Sequence, residues 1–114
     1  MTTEWDALPN SVKTFMTAID NREDGQAMTA LTADAEVTDD GHHYTGRDEI
    51  EAWLSAAVSG SGFTYTSTFS GATATAAGVD VRQHLEGNFP GGVVDLHYRF
   101  TMDGTLIGRV VIEP

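Results

Sequence analysis

The spacing of apolar residues changes from a helical to a strand period near residue 63, and Asp40-Gly41 gives a hairpin signal between two helical stretches. Together these predict an α+β fold: a curved, cone-shaped antiparallel sheet wrapped around three N-terminal helices. With 114 residues and 40% hydrophobic content, residues 1–114 suffice for one core and one domain, and a second domain does not fit.

Val12, Phe15, Met16 and Ile19 recur at helical spacing behind Pro9, which suits a first helical turn, so a first helix is expected over Pro9 to Asn21. Asp24 is placed to cap a short second helix carrying Ala27, Met28 and Leu31. Strand character follows over Ala35-Glu36-Val37-Thr38-Asp39, and Asp40-Gly41 turns the chain. A third helix should carry Ile50, Trp53, Leu54 and Ala57 on one face, capped by Thr45 and ended by Ser59-Gly60-Ser61-Gly62.

From Phe63 onward four strands form a meander. Phe63, Tyr65, Ser67 and Phe69 share one face, as do Val79, Val81, Gln83 and Leu85, and then Val94, Leu96, Tyr98, Phe100 and Met102. Asp103-Gly104 leads into the last strand, Leu106 to Glu113. Phe89-Pro90-Gly91-Gly92 breaks the pairing and is expected to be a mobile loop at the sheet edge.

Six basic and 17 acidic residues leave a formal charge of −11, with Lys13 the only lysine, which disfavours nucleic acid and anionic membranes as partners. No apolar run is long enough to span a bilayer, and the N-terminus has no basic segment followed by an apolar stretch, so a cytoplasmic chain is expected. The absence of cysteine removes disulfides, thiolate metal sites and cysteine nucleophiles. Neither a phosphate-cradling glycine loop nor a nucleophile elbow occurs. His42 and His43 lie beside two aspartates, but neighbours on a strand point to opposite faces, so no metal and no cofactor are expected.

Asp39 is the candidate that carries chemistry. A carboxylate at a strand end, held against apolar side chains, is a general base or a polar anchor in an apolar pocket. His43 and Tyr44 follow it as candidate proton shuttle and hydrogen-bond donor. Phe15, Trp53, Tyr65, Val81, Gln83, Leu96 and Tyr98 are the candidate pocket wall, which calls for an apolar small molecule as partner. Arg82, His84, His97 and Arg99 share the outward parity of the late strands, and the convex face they occupy is expected to form a homodimer.

The segments Ala30-Leu31-Thr32-Ala33-Asp34-Ala35-Glu36-Val37, Tyr44-Thr45-Gly46-Arg47-Asp48-Glu49-Ile50-Glu51-Ala52-Trp53 and His97-Tyr98-Arg99-Phe100, in this order, resemble the nuclear transport factor 2-like (cystatin-like) superfamily. Within it, the likeness is to the SnoaL-like branch, relatives of ketosteroid isomerase and polyketide cyclases. The resemblance covers nearly the whole chain. In ketosteroid isomerase the general base is an aspartate at the end of the first strand, where Val37-Thr38-Asp39 matches, and Trp53 matches an aromatic residue lining the pocket from the third helix. The two oxyanion donors of that enzyme fall on Phe15 and Leu96, with Asp95 one residue off and so on the other face. Tyr44, Tyr98 or Gln83 would have to replace them.

Two readings follow. One is a small isomerase, cyclase or lyase in which Asp39 takes a proton inside the cone. The other is a non-catalytic ligand-binding or dimerisation domain in which Asp39 only satisfies turn amides.

Overall fold

Six strands form one sheet in the order β2-β1-β6-β5-β4-β3, and three helices occupy its concave side. The computed structural model describes residues 3–114, apart from the side chain of Ser59. A short 3₁₀ turn, Trp5–Ala7, leads into α1 (Asn10–Asn21) and α2 (Asp24–Thr29). Then come β1 (Leu31–Asp39), β2 (His42–Thr45) and α3 (Gly46–Trp53), which continues as a π-helical segment, Leu54–Ser59. The chain ends in β3 (Tyr65–Ala74), β4 (Gly78–Gly87), β5 (Val93–Asp103) and β6 (Leu106–Glu113).

All neighbouring strands are antiparallel except β1 and β6, which run parallel. The hairpin β1–β2 thereby joins the meander's own sheet, a long-range pairing that local periodicity does not encode. Asp40 (φ 50) and Gly41 (φ 79) both lie in the left-handed region, as a two-residue turn matched to strand twist requires.

Several local expectations are corrected. Pro9 precedes α1 in extended geometry, so the helix begins at Asn10, although the Pro9 carbonyl accepts from the Lys13 N–H. Asp24 is the first residue of α2 and does not cap it. Leu31 starts β1, four residues ahead of the expected Ala35, with a bulge before Glu36. Thr45 makes no side-chain cap on α3; instead its N–H donates to the Glu49 carboxylate at 3.0 Å, so the acid does the capping.

The α1 apolar stripe is fully absorbed: Val12, Phe15, Met16 and Ile19 are all buried. The Phe15 and Phe100 rings meet edge-to-face at 5.8 Å and belong, with Val81, Val110, Ile107 and Ile50, to the buried core between helices and sheet. On the convex side, charged residues pair within the chain: His84 with Asp95 at 2.7 Å, His97 with Asp80 at 3.0 Å, and Arg99 with Glu113. The Asp95 hydrogen bond, helped by Glu86, raises the pKa of the exposed His84 imidazole. Among the described residues no helix is long and apolar enough to cross a membrane.

Candidate functional site

Between α1, the α3 segment with its π-helical continuation, and the sheet lies a cavity of about 140 Å³. Asp39, Trp53, Tyr65, Leu96 and Tyr98 line it, with Ile19, Ala57, Val58, Leu85 and Ile112 completing the wall. Asp39 reaches it by parity: Val37 and Ala35, two and four residues back, are buried on the same face of β1.

The Asp39 carboxylate is held by one side chain. Trp53 Nε1–H donates to Oδ2 at 3.0 Å, and Oδ1 accepts no hydrogen bond from the described residues. The turn amide next to it, Asp40 N–H, donates to the Ile112 carbonyl at 3.4 Å instead. Asp39 is therefore not a turn-capping acid. One oxygen is fixed by the indole while the other remains available at the cavity.

Tyr98 brings the second polar group. Its ring is 7% exposed, and burial first, then the charges of Tyr65, Asp20 and Asp39, push its pKa far above the usual phenol value. Tyr98 thus stays protonated, a neutral O–H donor in the same cavity as a carboxylate acceptor. Burial and the Asp20 carboxylate likewise raise Tyr65, against the opposing effect of Arg22.

The other candidates lie elsewhere. Phe15 and Val81 belong to the packed core and do not border the cavity. Gln83 opens instead onto a lateral groove between α1 and β3. His43 pairs with Thr38 and bonds its Oγ1 at 2.9 Å, on the face opposite Asp39; His42 is the histidine in register with Asp39. Tyr44 shares Val37's face, but its ring packs on Trp53 at 6.1 Å in an outer groove with Ala52 and Ala56. The indole separates Tyr44 from the cavity. Leu96 is an apolar wall residue, and Asp95 points to the convex side, as strand parity requires. No group of three or more His, Asp or Glu side chains poised for a metal occurs among the described residues.

Arg22, which sequence reasoning passed over, stitches the mouth of the cavity. It ends α1 in the left-handed conformation (φ 57) with its N–H on Ile19 O at 3.1 Å, while Glu23 N–H reaches Ala18 O at 2.8 Å. Non-glycine residues pay about 1–2 kcal/mol for this conformation. The strained backbone aims the guanidinium at Val58 O (3.3 Å) and Phe63 O, past the π-helical end, and over the Tyr65 ring at 5.9 Å. Both Val58 and Tyr65 line the cavity. A lone arginine after a helix carries no sequence signal for such a tether.

No protein-family model and no curated protein sequence matches the chain. Solved structures do. A candidate polyketide cyclase from Sinorhizobium meliloti is 27% identical and superposes with a TM-score of 0.86, over 97% of this chain and 100% of that one. A hypothetical protein with a ketosteroid isomerase-like fold from Catenulispora acidiphila, in complex with trimethylamine, is 18% identical at a TM-score of 0.78, over 94% and 86% of the two chains. A nuclear transport factor 2-like protein of unknown function from Cytophaga hutchinsonii is 12% identical at 0.69, over 91% and 86%. The chain has the nuclear transport factor 2-like, ketosteroid isomerase-like fold.

Proposed function

We propose that the protein takes one small, mostly apolar molecule into the cone and uses Asp39 as general base on it, as an isomerase, cyclase or lyase would. The observation that carries this reading is the free oxygen of Asp39, in a cavity that also holds the protonated Tyr98 hydroxyl. Asp39 would remove a proton from a carbon next to a carbonyl, and Tyr98 would donate to the oxygen on which charge develops. Size limits what the cavity encloses. A cavity near 150 Å³ accommodates about one benzene ring, so the 140 Å³ here holds the ring of a single-ring ketone or enone, and any larger part of a ligand would extend through the open side. The relation to a candidate polyketide cyclase, and a relative in complex with a molecule as small as trimethylamine, support a small-ligand function.

The test is deuterium exchange at the α-carbons of cyclohexanone in D₂O. The expected result is exchange faster with wild-type protein than with Asp39→Asn, and partly slowed by Tyr98→Phe. Binding of the ketone with no difference in exchange between wild type and Asp39→Asn would establish the second reading, a non-catalytic binding domain. That reading is favoured by one observation: Phe15 and Leu96 provide no donor where ketosteroid isomerase has its two. A homodimer through the convex face bearing Arg82, His84, His97 and Arg99 belongs to the proposal in either form, and sedimentation equilibrium measures it.

A further inference from the structure

A second concavity, of about 270 Å³, lies beside the cone between α1 and the concave side of β3 and β4. Trp5, Asp20, Ser67, Phe69 and Gln83 line it, and none of them borders the Asp39 cavity. Thr17 and Asn21 complete the lining, and its one charged side chain is the carboxylate of Asp20. Gln83 is only 3% exposed, and its Oε1 is a buried carbonyl oxygen with no hydrogen-bond partner. Such an oxygen in a folded protein calls for a donor that the chain itself does not supply. A donor in the groove reaches this oxygen once the terminal amide turns about its last bond toward the groove that Gln83 lines.

Asp20 adds the charge. Its carboxylate stands on the groove wall beside Ser67, with its pKa raised by partial burial against the opposing effect of Ser67, and no basic side chain lines the groove. Trp5 and Phe69 supply the third feature, an edge-to-face aromatic pair at 5.6 Å. Aromatic faces attract cations, and a net charge of −11 concentrates cations around the whole chain. An anion is repelled by the Asp20 carboxylate and by the net charge of the chain, whereas a neutral alcohol gains nothing from the carboxylate's charge.

We propose that this groove is a binding site for a small protonated amine, whose ammonium group donates to the Asp20 carboxylate and to Gln83 Oε1 while its alkyl chain lies against Trp5 and Phe69. The site is separate from the cone and does not depend on the chemistry assigned to Asp39.

The probe is n-propylammonium chloride, titrated against the whole chain by heteronuclear NMR, with 1-propanol as neutral isostere and sodium chloride as salt control. Saturable shifts are expected at the Trp5 indole N–H and the Gln83 side-chain amide. Binding should weaken at least tenfold in Asp20→Asn, weaken in Gln83→Leu and stay unchanged in Asp39→Asn. Asp20→Asn lies on an accessible helix edge and carries the test alone if the buried Gln83→Leu does not fold. Equal response to 1-propanol, undiminished binding in Asp20→Asn, or shifts confined to Trp53 and abolished in Asp39→Asn would each overturn the proposal. Loss of ketone exchange in Asp39→Asn with amine binding intact would bear on the cone alone.

Discussion

Phe15 and Ile19 lie one turn apart on the same face of α1, and Phe100 and Tyr98 lie two residues apart on the same face of β5, yet the two pairs meet different surroundings. At one level, Phe15 and Phe100 are in ring contact at 5.8 Å with almost no exposure. At the other, Ile19 and Tyr98 face each other's region across a 140 Å³ cavity. The inward parity is identical. What differs is what fills the space between helix and sheet: two rings in contact at one level, a cavity at the other. The first level spends its apolar area on packing, and the second leaves polar groups facing open space.

The largest effect expected from this contrast is in stability. Phe100→Ala removes a fully packed ring and should cost about 3–5 kcal/mol in chemical denaturation, whereas Tyr98→Phe, which deletes a hydroxyl facing the cavity, should cost under about 1 kcal/mol. Comparable losses in the two variants would break the distinction between a packed and an open level.

A smaller loss is expected at Asp39. Asp39→Ala leaves the Trp53 indole N–H without its acceptor and should cost about 1–2 kcal/mol, while Asp39→Asn keeps a carbonyl oxygen there and should cost less. Loss of more than about 3 kcal/mol in Asp39→Ala would place the carboxylate in the packed core and not at the cavity.

The smallest effect is a dependence on pH. Burial raises Asp20 from 3.8 to about 6, against the opposing Ser67 hydrogen bond. Between those values the folded chain keeps a proton that the unfolded chain has released, so stability falls as pH rises from about 4 to 6 and then levels off. Asp20→Asn has no such proton to lose. Its stability should lack this component of the decline and exceed wild type at pH 7, by a modest amount because Asp20 is partly exposed to water. Parallel pH profiles for the two proteins in thermal melts would contradict a desolvated carboxylate.

Much of the architecture was legible in the residues because each element carries its own period. The stripe Val12, Phe15, Met16, Ile19 specifies a buried helix face, and the alternation in Val79, Val81, Gln83, Leu85 specifies the inward side of a strand. Asp40-Gly41 marks a turn that few other residue pairs accept. Helix caps were less legible: Thr45 and Asp24 are good cap residues, but Glu49 caps α3 and Asp24 lies within α2, because several polar residues near a helix start compete for the same amides.

The sequence by itself determined most of the residues that face inward, since parity and helical spacing follow from local backbone geometry, and with them the placement of Asp39 at the end of an inward-facing strand; Phe63 is an exception, lying ahead of β3 and exposed where strand parity places it inward. Only the tertiary structure decided that β1 lies parallel to β6, that Trp53 holds one Asp39 oxygen, and that Phe15 and Val81 close the core while Gln83 opens onto a lateral groove. These outcomes depend on contacts between segments far apart in the chain. Whether an inward residue is packed or lines a cavity depends on the gap between two surfaces, a quantity that neither surface's own sequence contains.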